Sequence, residues 1–183
     1  MNINKTLATA IAATVMLGTI ACSATRTQRA AGEQVDDAVV LTNVKSALIA
    51  NPVTEGGEIN VDVNRGVVQL NGFVDSADEK SSAGKLARKV DGVKDVENNL
   101  KVSEGSSTAG EVIDDSVLTA KVKAALIENS DTKAHQINVE TKNGVVQLGG
   151  FVDDAAAKAA AGSVAMSVKG VKNVKNDLQV KTN

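Results

Sequence analysis

The chain has 183 residues and a formal net charge of −2, so there is no broad basic field to hold nucleic acid. Tyr and Trp are absent and Phe occurs twice, which leaves almost no side chains to stack on bases or sugars. A single Cys excludes an intramolecular disulfide, and Val, Leu, Ile and Ala must build the cores.

Lys5 precedes an uncharged stretch, Leu7 to Ala21, rich in Ala, Leu, Ile, Val and Met. A basic start followed by a short apolar core is the pattern of a secretory signal. As a helix this stretch reaches roughly 22 Å, short of the roughly 30 Å of a bilayer core. Residues 1–22 are therefore expected to be an export signal that delivers the protein to the periplasm. Cys22 closes the segment. Thr19-Ile20-Ala21-Cys22 resembles a bacterial lipoprotein signal, in which the cysteine is lipidated, and Ala21 fits that pattern. Thr19 departs from it, because leucine is preferred there and Leu17 stands two places early. The rival route is cleavage by the general signal peptidase near Ala21 or after Cys22-Ser23-Ala24, where small residues have the right spacing. By the lipoprotein resemblance, Cys22 would be an anchor and Ser23 would permit transfer to the outer membrane.

Beyond a polar tether at 23–34, the chain repeats itself. Val35 to Val102 aligns with Ile113 to Val180 without a gap, and about half the positions are identical. Gly66-Val67-Val68-Gln69-Leu70 returns as Gly144-Val145-Val146-Gln147-Leu148. Gly72-Phe73-Val74-Asp75 returns as Gly150-Phe151-Val152-Asp153. The unit is too long for a solenoid repeat and reads as a duplicated domain, 35–102 and 113–183. Residues 103–112, rich in Ser, Gly and Thr, read as a flexible linker.

Within each unit the elements follow one order. Asp36-Asp37, and Asp114-Asp115 in the second copy, suit the cap of a first helix, on which Val40, Val44, Ala47 and Leu48 share a face. Ile59, Val61 and Val63 alternate with polar residues in a first strand. Asn64-Arg65-Gly66 and Lys142-Asn143-Gly144 are hairpin turns with Gly where φ is positive. A second strand runs from Val67 to Val74. Ser76 to Glu79 is a capping box that opens a second helix, with Ala83, Ala87 and Val90 as its buried stripe. Gly92 suits the end of that helix. A last strand carries Val96, Asn98, Leu100 and Val102 on one face. The fold class is α+β: two tandem αββαβ domains, each a three-stranded mixed sheet with two helices on one face.

The repeated Gly-Val-Val-Gln-Leu-x-Gly-Phe-Val, with the later Gly-Val-x-x-Val-x-Asn-x-Leu, resembles the BON-domain family, over nearly all of the chain beyond the signal. The resemblance implies an envelope maintenance protein without catalytic residues. Phospholipid binding is attributed to some members and chaperoning to others.

Chemistry-bearing constellations are sparse. His135, the sole histidine, falls between the first helix and first strand of the second unit, with no partner to orient it. One His and one Cys are too few for a usual transition-metal site, and no calcium-loop spacing occurs. The glycines flank hairpin strands and do not open a helix after a strand, so no phosphate-binding loop is expected. No catalytic residue, metal, cofactor or small-molecule substrate is therefore expected.

The two second helices differ most. Asp78, Glu79, Lys85, Arg88 and Lys89 of the first become Ala156, Ala157, Ser163, Met166 and Ser167 of the second. An exposed face that loses its charge suits contact with a partner, although alanine also simply favours helix. Ala156, Lys158, Ala159, Ala160, Met166, Lys169 and Lys172 are the expected contact residues. Two partners fit them. One is anionic phospholipid at a membrane surface, with Cys22 as tether. The other, for a soluble periplasmic protein of osmotic-stress type, is unfolded or envelope proteins.

Overall fold

The computed structural model describes residues 26–54, 59–103 and 109–182. The expected export signal and Cys22 lie outside the described residues. The first repeat forms α1 (Arg26–Ile49), β1 (Ile59–Asn64), β2 (Val67–Val74), α2 (Ala77–Arg88), β3 (Asp95–Asn98) and β4 (Lys101–Val102). The second forms α3 (Ala109–Glu128), two short 3-10 turns, β5 (Asn138–Lys142), β6 (Val145–Gly149), β7 (Phe151–Val152), α4 (Ala155–Ser167), β8 (Asn173–Asn176) and β9 (Gln179–Val180). Both first helices start earlier than their sequence suggests. α1 begins inside the expected tether and α3 inside the expected linker. No proline stands in either segment to stop the helix, and one internal glycine costs only about 1 kcal/mol.

Each sheet is mixed, as the order of elements requires. β2 is central, antiparallel to β1 and parallel to β3 and β4, and β6 stands in the same relation to β5 and β8. The last strand is broken in both repeats. The Asn98 side chain accepts from the amide of Leu100 at 3.3 Å and donates to the Lys80 carbonyl at 2.7 Å, which draws the strand towards α2 and interrupts its pairing. Leu100 is fully buried beyond the break, whereas Val102 is 40% exposed and leaves the core face expected for it.

Alternation explains where the cores sit. Val61, Val68, Leu70 and Val96 face the helices and pack with Val40, Val44, Leu48, Ala83 and Ala87. The second core repeats this with Val139, Val146, Leu148, Val122, Leu126, Ala157, Ala161 and Ala165. Ser76 caps α2 by accepting from the Glu79 amide at 3.1 Å, while the Glu79 carboxylate accepts from the Asp75 amide at 3.0 Å, so the capping box forms. Asp154 caps α4 in the same way through the Ala157 amide. Thr54 and Thr132 are buried and donate to the Leu48 and Leu126 carbonyls, each at 2.6 Å, which satisfies the ends of α1 and α3.

The opposite, polar face of each sheet meets its counterpart. Gln69 and Gln147 are almost wholly buried between the two domains. The Gln69 side-chain oxygen accepts from the Gly150 amide at 2.6 Å, and that of Gln147 accepts from the Gly72 amide at 2.8 Å. Their amide nitrogens donate to the Asp177 carbonyl at 2.6 Å and the Asn99 carbonyl at 3.0 Å. Asn60 donates to Glu140 at 3.0 Å, and Asn138 donates to both oxygens of Asp62 at 2.8 Å. Every contact in this set has its mirror in the other repeat, so the domains are related by an approximate two-fold axis.

The two apolar cores share no residue, and the interface between them is polar. Residues 109–183 expressed alone should therefore melt cooperatively by circular dichroism; a disordered product would show that the halves depend on each other to fold. Asp62 gives a pH signature. Burial pushes its pKa up, against the opposing effects of Asn138, Lys45 and Asn71. The folded carboxyl then holds its proton more tightly than the unfolded one, so its ionised form lowers stability above the folded pKa, and that loss fades as pH falls through it. Asp62→Asn should melt no lower than wild type at about pH 7, and wild type should gain on the variant towards about pH 4. Melting temperatures that keep a constant difference over that range would contradict this.

Candidate functional site

The turn between β5 and β6 forms one wall of a cavity in the second domain. Asn143 and Gly144 both have left-handed backbones, with φ of 56° and 78°, which matches the twist of a two-residue hairpin. Asp115, one turn inside α3, accepts from the amides of Asn143 at 2.6 Å and Gly144 at 2.9 Å. Asp37 grips Arg65 and Gly66 in the same way, at 2.6 and 2.8 Å. This corrects the capping role expected for Asp36-Asp37 and Asp114-Asp115. Because both helices begin upstream, these residues are interior to them, and Asp37 and Asp115 fasten helix to hairpin instead. Asp36 and Asp114 stay exposed.

The cavity encloses about 520 Å³. α3 contributes Asp114, Asp115, Val117, Leu118 and Lys121, the hairpin contributes Asn143 and Gly144, and the segment after α4 contributes Lys169, Gly170 and Lys172. The aliphatic part of Lys172 lies over Gly144, where an added Cβ would stand 3.0 to 3.1 Å from its carbons. Three lysines and two aspartates therefore line the cavity, and the Asp115 carboxylate is held by the turn amides. The first domain differs at two of the aligned positions, with Asn43 and Asp91 in place of Lys121 and Lys169, and keeps the third lysine as Lys94.

The expected contact residues divide into two groups. Lys169 and Lys172 join the cavity. Ala156, Ala159 and Met166 lie on the exposed stripe of α4, and Met166 is 49% exposed. Lys158 and Ala160 are half-buried, on the flanks of that stripe, because Ala157, Ala161 and Ala165 point inward. Val117 and Lys121 of α3 were not anticipated as contact residues. The gapless alignment holds their signal, since Lys121 replaces Asn43 and Lys169 replaces Asp91. Cys22 lies outside the described residues. His135 is exposed in the 3-10 turn Ala134–Gln136. Among the described residues no cluster of His, Cys, Asp and Glu is placed to hold a metal ion, and no helix is long and apolar enough to cross a membrane. Asp153 accepts from Lys133 at 2.7 Å and Lys181 at 2.9 Å, and these two hydrogen bonds hold its pKa well below the usual carboxylate range. All three groups are solvent-facing, so the cluster ties the chain end to the strand and forms no enclosed site.

The profile of the BON domain matches residues 36–104 and 114–182. The chain belongs to the BON-domain family. Osmotically-inducible protein Y of Escherichia coli (strain K12) is 39% identical over 155 residues, which cover 82% of this chain and 75% of that protein. Outer membrane lipoprotein DolP of Haemophilus influenzae is 34% identical over 165 residues, 90% of this chain and 84% of the relative. A 21 kDa hemolysin of Actinobacillus pleuropneumoniae is 37% identical over 147 residues, 80% of this chain and 75% of the relative. Among solved structures, CdsD, a structural protein of the type III secretion system of Chlamydia trachomatis, aligns at 15% identity over 78% of this chain and 92% of its own, with a TM-score of 0.33, a likeness too loose to build on.

In both BON domains the gripped hairpin depends on left-handed backbone. Gly144→Val should destabilise the protein by roughly 1–2 kcal/mol, while Asn143→Gly should change it little. Urea melts of the two variants check this, and equal losses would remove the turn from the account.

Proposed function

We propose that the chain is a non-enzymatic envelope protein whose second BON domain docks on anionic phospholipid at a membrane surface. The observation that carries this reading is the lysine-rich cavity of the second domain. Lys121, Lys169 and Lys172 converge where the first domain has Asn43, Asp91 and Lys94. Lysines near an anionic bilayer contribute about 1 kcal/mol each. Val117, 47% exposed on the cavity wall, and Met166 on α4 supply apolar side chains for the headgroup boundary. The charge-poor stripe Ala156, Ala159 and Met166 lets that face approach lipid without desolvating charge. Kinship with an outer membrane lipoprotein supports an envelope location and a role for Cys22 as lipid anchor.

Lys169→Gln with Lys172→Gln should weaken co-sedimentation with vesicles of anionic phospholipid by about thirtyfold, from two lysines at about 1 kcal/mol each. Lys94→Gln in the first domain, at the position of Lys172, should change little. Binding should weaken as salt rises towards physiological strength. A folded double variant that sediments like wild type would remove the cavity from the lipid site. A wild-type protein that ignores such vesicles would leave the protein-binding function of a soluble periplasmic chaperone as the better reading.

A further inference from the structure

The approximate two-fold axis between the BON domains passes through one pair of residues. Asn71 and Gly149 occupy the same place in the two repeats, and they meet each other across the interface. A residue that meets its own counterpart must lie on the axis. A Cβ built on Gly149 would stand 2.3 Å from Asn71 Nδ2, 2.4 Å from its Cγ and 2.9 Å from its Cβ. The collision involves the whole Asn71 side chain, down to its root. That side chain is 2% exposed and is held by its donation to Gln69 at 2.9 Å, so it has nowhere to turn. The space on the axis is filled once.

We propose that Asn71 and Gly149 are the specificity lock of this interface: one asparagine fits on the axis and two do not. The sheet face of the first domain thus recognises a BON domain with glycine at the axial position, which is the second domain of this chain, and rejects a copy of itself. The main-chain contacts of the two central glutamines do not discriminate. Gln69 and Gln147 use glycine amides and main-chain carbonyls present in both repeats. Any pairing of the two sheet faces, like with like or like with unlike, would satisfy them. At the centre of the interface, the axial position separates the pairings.

The test moves the asparagine across the axis in the full chain. Gly149→Asn should be tolerated by its own domain, because Gly149 lies in β6 without a left-handed φ and the first repeat holds Asn at this place. It should nonetheless undock the domains. The amides of Gly72 and Gly150, which the glutamines hold in the interface, should lose about tenfold or more of their protection from hydrogen exchange. The radius of gyration in X-ray scattering should rise. Adding Asn71→Gly to the same chain returns the axis to a single asparagine, now from the other strand, and should restore most of the protection and the compact scattering. Gly149→Asn with wild-type protection at both glycines overturns the proposal. So does a double variant that stays open or unfolds.

Discussion

Two buried glutamines, one from each repeat, set the architecture of this protein. A primary amide taken out of water needs partners for its oxygen and its nitrogen, and leaving one unmade costs about 1–3 kcal/mol. Gln69 finds both in the second domain, and Gln147 finds both in the first. Within its own domain each glutamine has a partner for one end of its amide only, Asn71 for the Gln69 oxygen and Asp177 for the Gln147 nitrogen. The interface is therefore reciprocal, and the positions of Asn60, Asp62, Asn138 and Glu140 around it follow from the same symmetry.

Against that symmetry the two repeats have diverged where geometry makes divergence matter. On the axis, equal side chains collide, and Asn71 faces Gly149. The divergence is also marked around the cavity of the second domain, although the aspartate grip on the hairpin is kept in both repeats. There Lys121 and Lys169 stand where the first repeat has Asn43 and Asp91. The outer stripe of α4 has lost the charges that α2 keeps. The second half presents the surface proposed for lipid.

Small side chains make the close packing possible. α2 lies near its last strand because Gly84 leaves space for Asn98, whose Nδ2 would sit 2.7 Å from any added Cβ. Gly162 does the same for Asn176 at 2.8 Å. Each asparagine uses that space to donate to a helix carbonyl at 2.7 Å, at Lys80 or Lys158. A mid-helix glycine is unfavourable on propensity alone, so its presence in both repeats is explained by the neighbour it admits.

The sequence by itself determined the duplicated unit, the order of its elements, its turns and the inward residues of its strands and helices. These are local properties: a period of two or of 3.6, a glycine where φ is positive, a serine three residues before a glutamate. It also marked the loss of charge along α4, because two aligned repeats can be compared position by position. Only the tertiary structure decided what the polar strand faces do. The sequence is silent on what covers Gln69, Asn71 and Asp62, since alternation reports which residues avoid the core and not what lies against the other side. The role of Asp37 and Asp115 was equally hidden. A helix-entry aspartate and one that reaches a hairpin 28 residues on look alike in sequence. The cavity, too, is assembled from three separate segments, and no spacing along the chain records that Lys121, Asn143 and Lys172 stand together.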